Sequence, residues 1–198
     1  MNFNSKKPCN NSSFQICLSG IMSALVFVAT SIRIDVPIGV SNAMLSLGNV
    51  MCITSALLLS PFLAGISSGI GSLIFDLVTP IYVFSAPFTF FSKFCMAFVC
   101  SKVSQKCLIL NCSSFIKKRL SNEDRSNLFG AISGIVVFIF LRILKVFLFN
   151  SIVLHLDFFS NVALSSKNIF VTVINSILAV IFALPLTKIL KKSLPVNF

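Results

Sequence analysis

Charged residues are scarce in this chain of 198 residues: only 11% are Asp, Glu, Lys or Arg, against roughly 25% in soluble domains. A water-soluble fold could not cover its surface with so few charges. Hydrophobic residues make up 56% of the chain. They are concentrated in runs of about 20 residues, the length that a helix needs to cross a ~30 Å hydrocarbon core. The composition therefore predicts an integral membrane protein.

Residues that support enzymatic chemistry are scarce as well. The seven cysteines include no Cys-x-x-Cys pair, and His155 is the only histidine, which argues against a metal site. The chain has no Gly-x-x-x-x-Gly-Lys-Ser/Thr phosphate loop, so it cannot supply energy from ATP by itself. We expect neither an enzyme nor a bound cofactor or metal.

A glycine-rich stretch at residues 64–72, AGISSGIGS, resembles the nucleotide-binding turn of a short-chain dehydrogenase. Such a site needs a soluble strand–turn–helix unit around the glycines. That family also needs a Tyr-x-x-x-Lys pair, but Tyr82, the only tyrosine, is followed four residues later by Ala86. The dehydrogenase interpretation is therefore rejected.

A membrane helix explains the same glycines better. Gly65 and Gly69 form a Gly-x-x-x-Gly step, which lets another helix backbone approach closely. At ~100° per residue, Ser72 and Asp76 fall on one stripe of that helix. We therefore expect Asp76 to face protein rather than lipid.

Hydropathy predicts an all-α bundle of six transmembrane helices with both termini in the cytoplasm. The helices are predicted at about 13–34, 44–60, 62–79, 84–103, 128–150 and 168–190. They form a single domain at residues 13–192, flanked by polar cytoplasmic tails at 1–12 and 193–198. A basic loop at about 104–127 is then cytoplasmic too, as the positive-inside rule requires.

The formal net charge of +11 could suggest a nucleic-acid partner. However, eleven of the sixteen Lys and Arg residues lie near the chain ends or between residues 102 and 125. These positions mark the cytoplasmic side of a membrane protein. We expect membrane lipid, and no nucleic acid, around the chain.

Four ionisable side chains lie well inside predicted helices: Asp76, Lys93, Arg142 and Lys145. Each costs at least ~2.5–3.5 kcal/mol in a membrane span, so each suggests a functional role. Counted from the helix ends, they converge on the outer half of the bundle. Arg33 lies at the outer end of the first helix, Thr89 lies one turn outward of Lys93, and Asn175 is the polar feature of the last helix.

Two interpretations of these charges remain open. Asp76 and Lys93 could form an ion pair that only joins two helices, while Arg33 and Lys145 extend their charges to the interface. Alternatively, the surplus of three positive charges over Asp76 is offset by an anionic ligand. In that case Arg142 would bind a carboxylate or phosphate through its planar fork, and Lys93 would bind it as a point charge.

The first helix carries a face of small residues. Gly20 and Ala24 lie one turn apart, with Ser19 and Ser23 beside them. Small residues let a neighbouring helix approach closely. The face is suited either to packing within the bundle or to docking a partner's helices.

Four stretches occur in an order that resembles the S component of energy-coupling factor (ECF) vitamin transporters, in the riboflavin and hydroxymethylpyrimidine branch. They are GIMSALVFVAT at 20–30, LGN at 47–49, SPFLAGISSGIGSLIFDL at 60–77 and APFTFFSK at 86–93. The chain departs from the family pattern in three respects. Asn49 replaces the usual acid, Gly20 and Ser23 replace alanines, and Arg142 and Lys145 are additional to it.

The resemblance implies a subunit that captures a vitamin or precursor from outside and topples when it docks on a transmembrane coupling subunit with two ATPase subunits. Docking would use Gly20, Ser23 and Ala24. The buried polar residues and the resemblance together give the predicted substrate-binding residues, which are Arg33, Asn49, Asp76, Thr89, Lys93, Arg142 and Asn175. The alternatives are a stand-alone channel or secondary carrier, in which Asp76 and Lys93 relay protons or ions, and a non-transporting scaffold subunit.

Overall fold

The computed structural model describes residues 12–38, 41–109, 122–153 and 158–193. Within these residues the chain forms six α-helices, a two-stranded β-hairpin and a 3₁₀ turn. In chain order they are α1 (Ser12–Ser31), β1 (Arg33–Ile38), β2 (Ser41–Ser46), α2 (Gly48–Leu58), α3 (Pro61–Val78), the 3₁₀ turn Pro80–Ser85, α4 (Ala86–Ile109), α5 (Asn122–Val153) and α6 (Phe158–Ser193). The predicted helical membrane bundle is confirmed.

Five of the six helices are long and apolar enough to cross a membrane, and α2 is the exception among the described residues. The sequence predicted a span at 44–60, but α2 has only 11 residues. At ~1.5 Å per residue it is ~17 Å long, about half of a hydrocarbon core. The helix is shorter than predicted because residues 41–46 form β2 and pair with β1 instead of extending it.

The β-hairpin was not predicted. β1 and β2 are antiparallel, with Arg33 opposite Ser46 and Ile38 opposite Ser41. In β1 the apolar Ile34, Val36 and Ile38 alternate with other residue types, which is the two-residue period of a strand. Hydropathy averaged over a long window does not detect this period, so the first helix was predicted to extend to residue 34 and ends at Ser31 instead.

The last three helices extend further than the sequence predicted. α4 continues to Ile109 and α5 begins at Asn122, so the predicted loop at 104–127 is helical at both edges. Hydropathy finds only the apolar part of a helix, whereas these extensions are rich in polar residues. Residues 110–121 and both predicted tails, apart from residue 12 and Ser193, lie outside the described residues.

α3 packs tightly on both neighbours through its glycines. A Cβ atom at Gly65 or Gly69 would lie 2.8 Å from the ring of Phe94 or Phe90 on α4. A Cβ atom at Gly71 would collide with the backbone oxygen of Ser23 on α1. The Gly-x-x-x-Gly step therefore packs inside the bundle, against α4.

These contacts also give the helix directions. Numbers fall along α4 as they rise along α3, so the two helices are antiparallel. Phe75 packs against Phe27, with ring centroids 6.5 Å apart, so α1 and α3 run in parallel. The ends of α1 and α3 therefore lie with the β-hairpin and the starts of α2 and α4. We call this the hairpin end of the bundle.

Candidate functional site

A line of buried serines leads along α3 towards the hairpin end. The hydroxyls of Ser68 and Ser55 on α2 are hydrogen-bonded at 2.9 Å. Ser72 and Asp76 follow at one-turn intervals on α3, and both are buried. Because α2 and α3 are antiparallel, Ser72 lies at the level of residues 49–52 on α2. The oxygen Ser72 Oγ is buried and, among the described residues, has no hydrogen-bond partner.

Lys93 of α4 lies in this buried layer, with only 6% of its surface exposed. Its ammonium donates to Asn49 Oδ1 and, at 3.7 Å, to Cys52 Sγ, both on α2. The Nζ atom also lies 5.4 Å from the ring centroid of Phe138 on α5, in a cation–π contact. Lys93 therefore joins three helices through partners that carry no charge.

A direct Asp76–Lys93 ion pair is absent from the described part of the chain. The two groups are electrostatic neighbours only. Asp76 instead lies beside the side chain of Thr89 on α4. The long side chain of Lys93 instead reaches α2. The positions of Asp76 on α3 and Lys93 on α4 in the sequence do not predict this partner.

Thr89 connects Asp76 to α5. Its hydroxyl donates to the backbone oxygen of Ser85 at 3.1 Å, and it accepts a hydrogen bond of 3.3 Å from Lys145 Nζ. Arg142 lies one turn before Lys145 on α5. The Asp76 carboxylate interacts electrostatically with Arg142, Lys145 and Lys93. Three cationic groups thus surround one carboxylate.

The structure therefore brings together five of the seven predicted binding residues, and the additional Lys145, at the hairpin end of the bundle. The five are Asn49, Asp76, Thr89, Lys93 and Arg142. We call these six residues the polar cluster. The cluster has two parts, one held by the hydrogen bond from Lys93 to Asn49 and one by the hydrogen bond from Lys145 to Thr89. Asp76 interacts with both parts.

The other two predicted residues are not joined to the polar cluster. Asn175 is buried on α6 between Thr172 and Ser176, and within the described residues no hydrogen bond or ion pair links it to the cluster. Arg33 is the first residue of β1 rather than the end of α1, and its side chain lies outside the described part.

Three contributors were missed as binding residues, although the sequence contains a weak signal for each. Cys52 lies one turn after Asn49, Ser72 lies one turn before Asp76, and Phe138 lies one turn before Arg142. Residues three or four apart share a helix face. Including the residues one helical turn away from each predicted polar residue would have identified these three, but it would also have added many residues that do not line the cluster.

The small-residue face of α1 points away from the bundle. Gly20 and Ala24 are exposed, and a Cβ atom at Gly20 would have no atom within 4 Å. Ser23 is half-buried, and its backbone oxygen faces Gly71. Packing inside the bundle is therefore not the role of Gly20 and Ala24 in the described structure.

The fold and the sequence pattern both match known proteins. A solved S component of a bacterial ECF transporter superposes with a TM-score of 0.57, covering 91% of this chain and 96% of that chain at 19% identity. No curated protein matches the chain significantly in sequence. The sequence profile of the family described as "ECF-type riboflavin transporter, S component" matches residues 10–192. The chain therefore belongs to this family, and is a non-enzymatic, vitamin-binding transport subunit in the plasma membrane.

Proposed function

We propose that the chain captures a vitamin or vitamin precursor from outside the cell and delivers it to an ECF module of one coupling subunit and two ATPase subunits. The observation that carries this proposal is the polar cluster at the hairpin end. Ionisable groups within membrane spans are costly and mark substrate or ion pathways. Flavins, the compound class of the riboflavin after which the family is named, are the first candidate substrates.

The cluster offers the groups that a polar heterocycle needs. The Asn49 amide, the Thr89 hydroxyl and the Lys93 ammonium supply hydrogen-bond donors and acceptors at fixed positions. The ring of Phe138 adds an apolar surface beside them. Ligand sites combine such an apolar wall with a few convergent polar groups.

The orientation follows from the distribution of basic residues. The end opposite the hairpin carries Lys102 and Lys106 of α4 and Lys188, Lys191 and Lys192 of α6. Excess Lys and Arg favours the cytoplasmic side. The hairpin end and the polar cluster then face the outside, where a substrate is captured.

The exposed Gly20 and Ala24 support docking on the coupling subunit. Small residues allow close backbone contact between membrane helices, and the space above Gly20 is open. Since the chain has no phosphate loop, an ATP-driven step requires partner subunits. Ser23 contributes at the edge of this face.

Riboflavin binding to purified protein, followed by quenching of flavin fluorescence, tests substrate capture. Uptake by cells with and without a co-expressed ECF module tests coupling. We expect binding without the module and uptake only with it. Uptake without the module would indicate a secondary carrier, and absence of binding to any vitamin would favour a scaffold subunit.

A further inference from the structure

We propose that the substrate carries a carboxylate or phosphate group, and that Arg142 and Lys145 bind this group together. The proposal rests on substrate capture at the polar cluster, and it narrows the chemical class of that substrate. A neutral vitamin would not use these two residues.

Arg142 has unused hydrogen-bonding capacity. A guanidinium carries five N–H donors in a planar fork. Among the described residues, Arg142 has no hydrogen-bond or ion-pair partner, although it interacts electrostatically with Asp76 and Tyr82. The side chain is only half-buried, so an incoming group has access to it. A bidentate anion is the ligand that matches the fork.

Within the described part of the chain, Lys145 has no charged partner at hydrogen-bonding distance. Its ammonium donates to the neutral Thr89 hydroxyl at 3.3 Å. Lys93 likewise bonds to the neutral Asn49. With Arg142, three cations face Asp76, the one carboxylate that the described residues place in the cluster, which leaves a surplus of two positive charges among these side chains. Surplus charge is expensive in surroundings of low dielectric constant, so a bound anion is stabilised here.

The basic pair faces the bundle rather than the lipid. On α5 the outward positions are apolar and exposed, namely Val136, Phe140 and Leu144. Arg142 and Lys145 instead share the side of Phe138, which is buried. They lie three residues apart, with Cβ atoms roughly 5–6 Å from each other, so both heads can reach one anionic group. This placement favours a solute within the bundle over a lipid phosphate.

Riboflavin and riboflavin 5′-phosphate form a matched pair of probes that differ in one anionic group. We expect the wild-type protein to bind the phosphate at least roughly tenfold more tightly, which corresponds to ~1.4 kcal/mol. Arg142→Gln should lower the affinity for the phosphate more than the affinity for riboflavin, and so remove this preference. Arg142→Lys keeps the positive charge but loses the planar guanidinium, so this variant should retain part of the preference for the phosphate. Lys188→Gln, which removes a positive charge from the surface at the other end, is the control.

Binding of both flavins with equal affinity would overturn the anion proposal and leave the proposed function intact. So would a preference for the phosphate that persists in Arg142→Gln. Each variant is first checked for a monodisperse size-exclusion peak. If neither flavin binds, riboflavin is not the substrate, and a second measurement with simple anions decides the question of charge.

That measurement compares thermal unfolding in phosphate, sulfate and chloride at equal ionic strength. We expect phosphate and sulfate to raise the unfolding temperature of the wild type by about 2–4 °C relative to chloride, and not to do so for Arg142→Gln. Equal unfolding temperatures in all three salts would contradict the proposal. Stabilisation by phosphatidylglycerol in the micelle, without any by soluble phosphate, would assign the pair to a lipid headgroup instead and overturn it.

Discussion

The two ends of the bundle both carry Asp and Lys side chains, but these are buried at one end and more exposed at the other. At the hairpin end, Asp76 and Lys93 are buried and belong to an interacting cluster that includes Arg142 and Lys145. At the opposite end, Lys188 and Asp124 form an ion pair of 3.1 Å with side chains 72% and 27% exposed. Breaking the surface pair should cost little free energy of unfolding, whereas removing one charge from the buried cluster leaves other buried charges uncompensated and should cost more. Contact distance alone therefore does not identify the important charges.

The strongest test of this comparison makes the same type of substitution, Asp to Asn, at each end of the bundle. Asp76→Asn removes the one carboxylate that the described residues place near three cations, and we expect a loss on the scale of about 3–5 kcal/mol in the free energy of unfolding. Asp124→Asn breaks an exposed pair and should cost only about 0–1 kcal/mol. Thermal unfolding of both variants in detergent measures the difference. Equal losses would mean that burial does not distinguish the two ends.

A smaller effect is expected along the serine line of α3. Ser68→Ala removes the hydrogen bond to the Ser55 hydroxyl, which still donates to the backbone oxygen of Cys52, so the loss in the free energy of unfolding should be about 0.5–1.5 kcal/mol. Ser72→Ala removes a hydroxyl that already lacks a partner, so stability should stay the same or rise. Unfolding temperatures of the two variants, made one turn apart on the same helix, provide the comparison. A larger loss for Ser72→Ala would show that this hydroxyl has a partner in the membrane.

The smallest effect on stability is expected on α1. Gly20→Leu adds a side chain to open space, so the unfolding temperature and riboflavin affinity should stay close to those of the wild type. Co-purification of the coupling subunit and uptake should nevertheless be lost, because the added bulk keeps a partner helix away. Gly69→Leu is the matched control, since it would collide with Phe90 and unfold the protein at lower temperature. Intact co-purification with Gly20→Leu would remove this face from the docking surface.

Much of the fold could be predicted from the sequence, because the apolar runs and the charged residues that interrupt them are local features. Asp76 was expected to face protein, and its burial agrees with that. The partner of Lys93 could not be predicted, because a lysine stem reaches a neighbouring helix whose position depends on packing. The hairpin was missed because its two-residue period is short and lies between two long apolar runs. The roles of the polar cluster in substrate binding stay predictions.

The contact at Gly71 has a consequence for how the two proposed surfaces communicate. Gly71 fits against the backbone of α1 with no room for a methyl group, and its neighbour Ser72 lies in the buried layer beside Lys93. A helix that pressed on the outer face of α1 would therefore move α3, and with it one wall of the polar cluster. Coupling of this kind is thermodynamically reciprocal. If docking of the energising module loosens the substrate, then substrate weakens docking by the same factor, and an empty subunit is the form that the module retains.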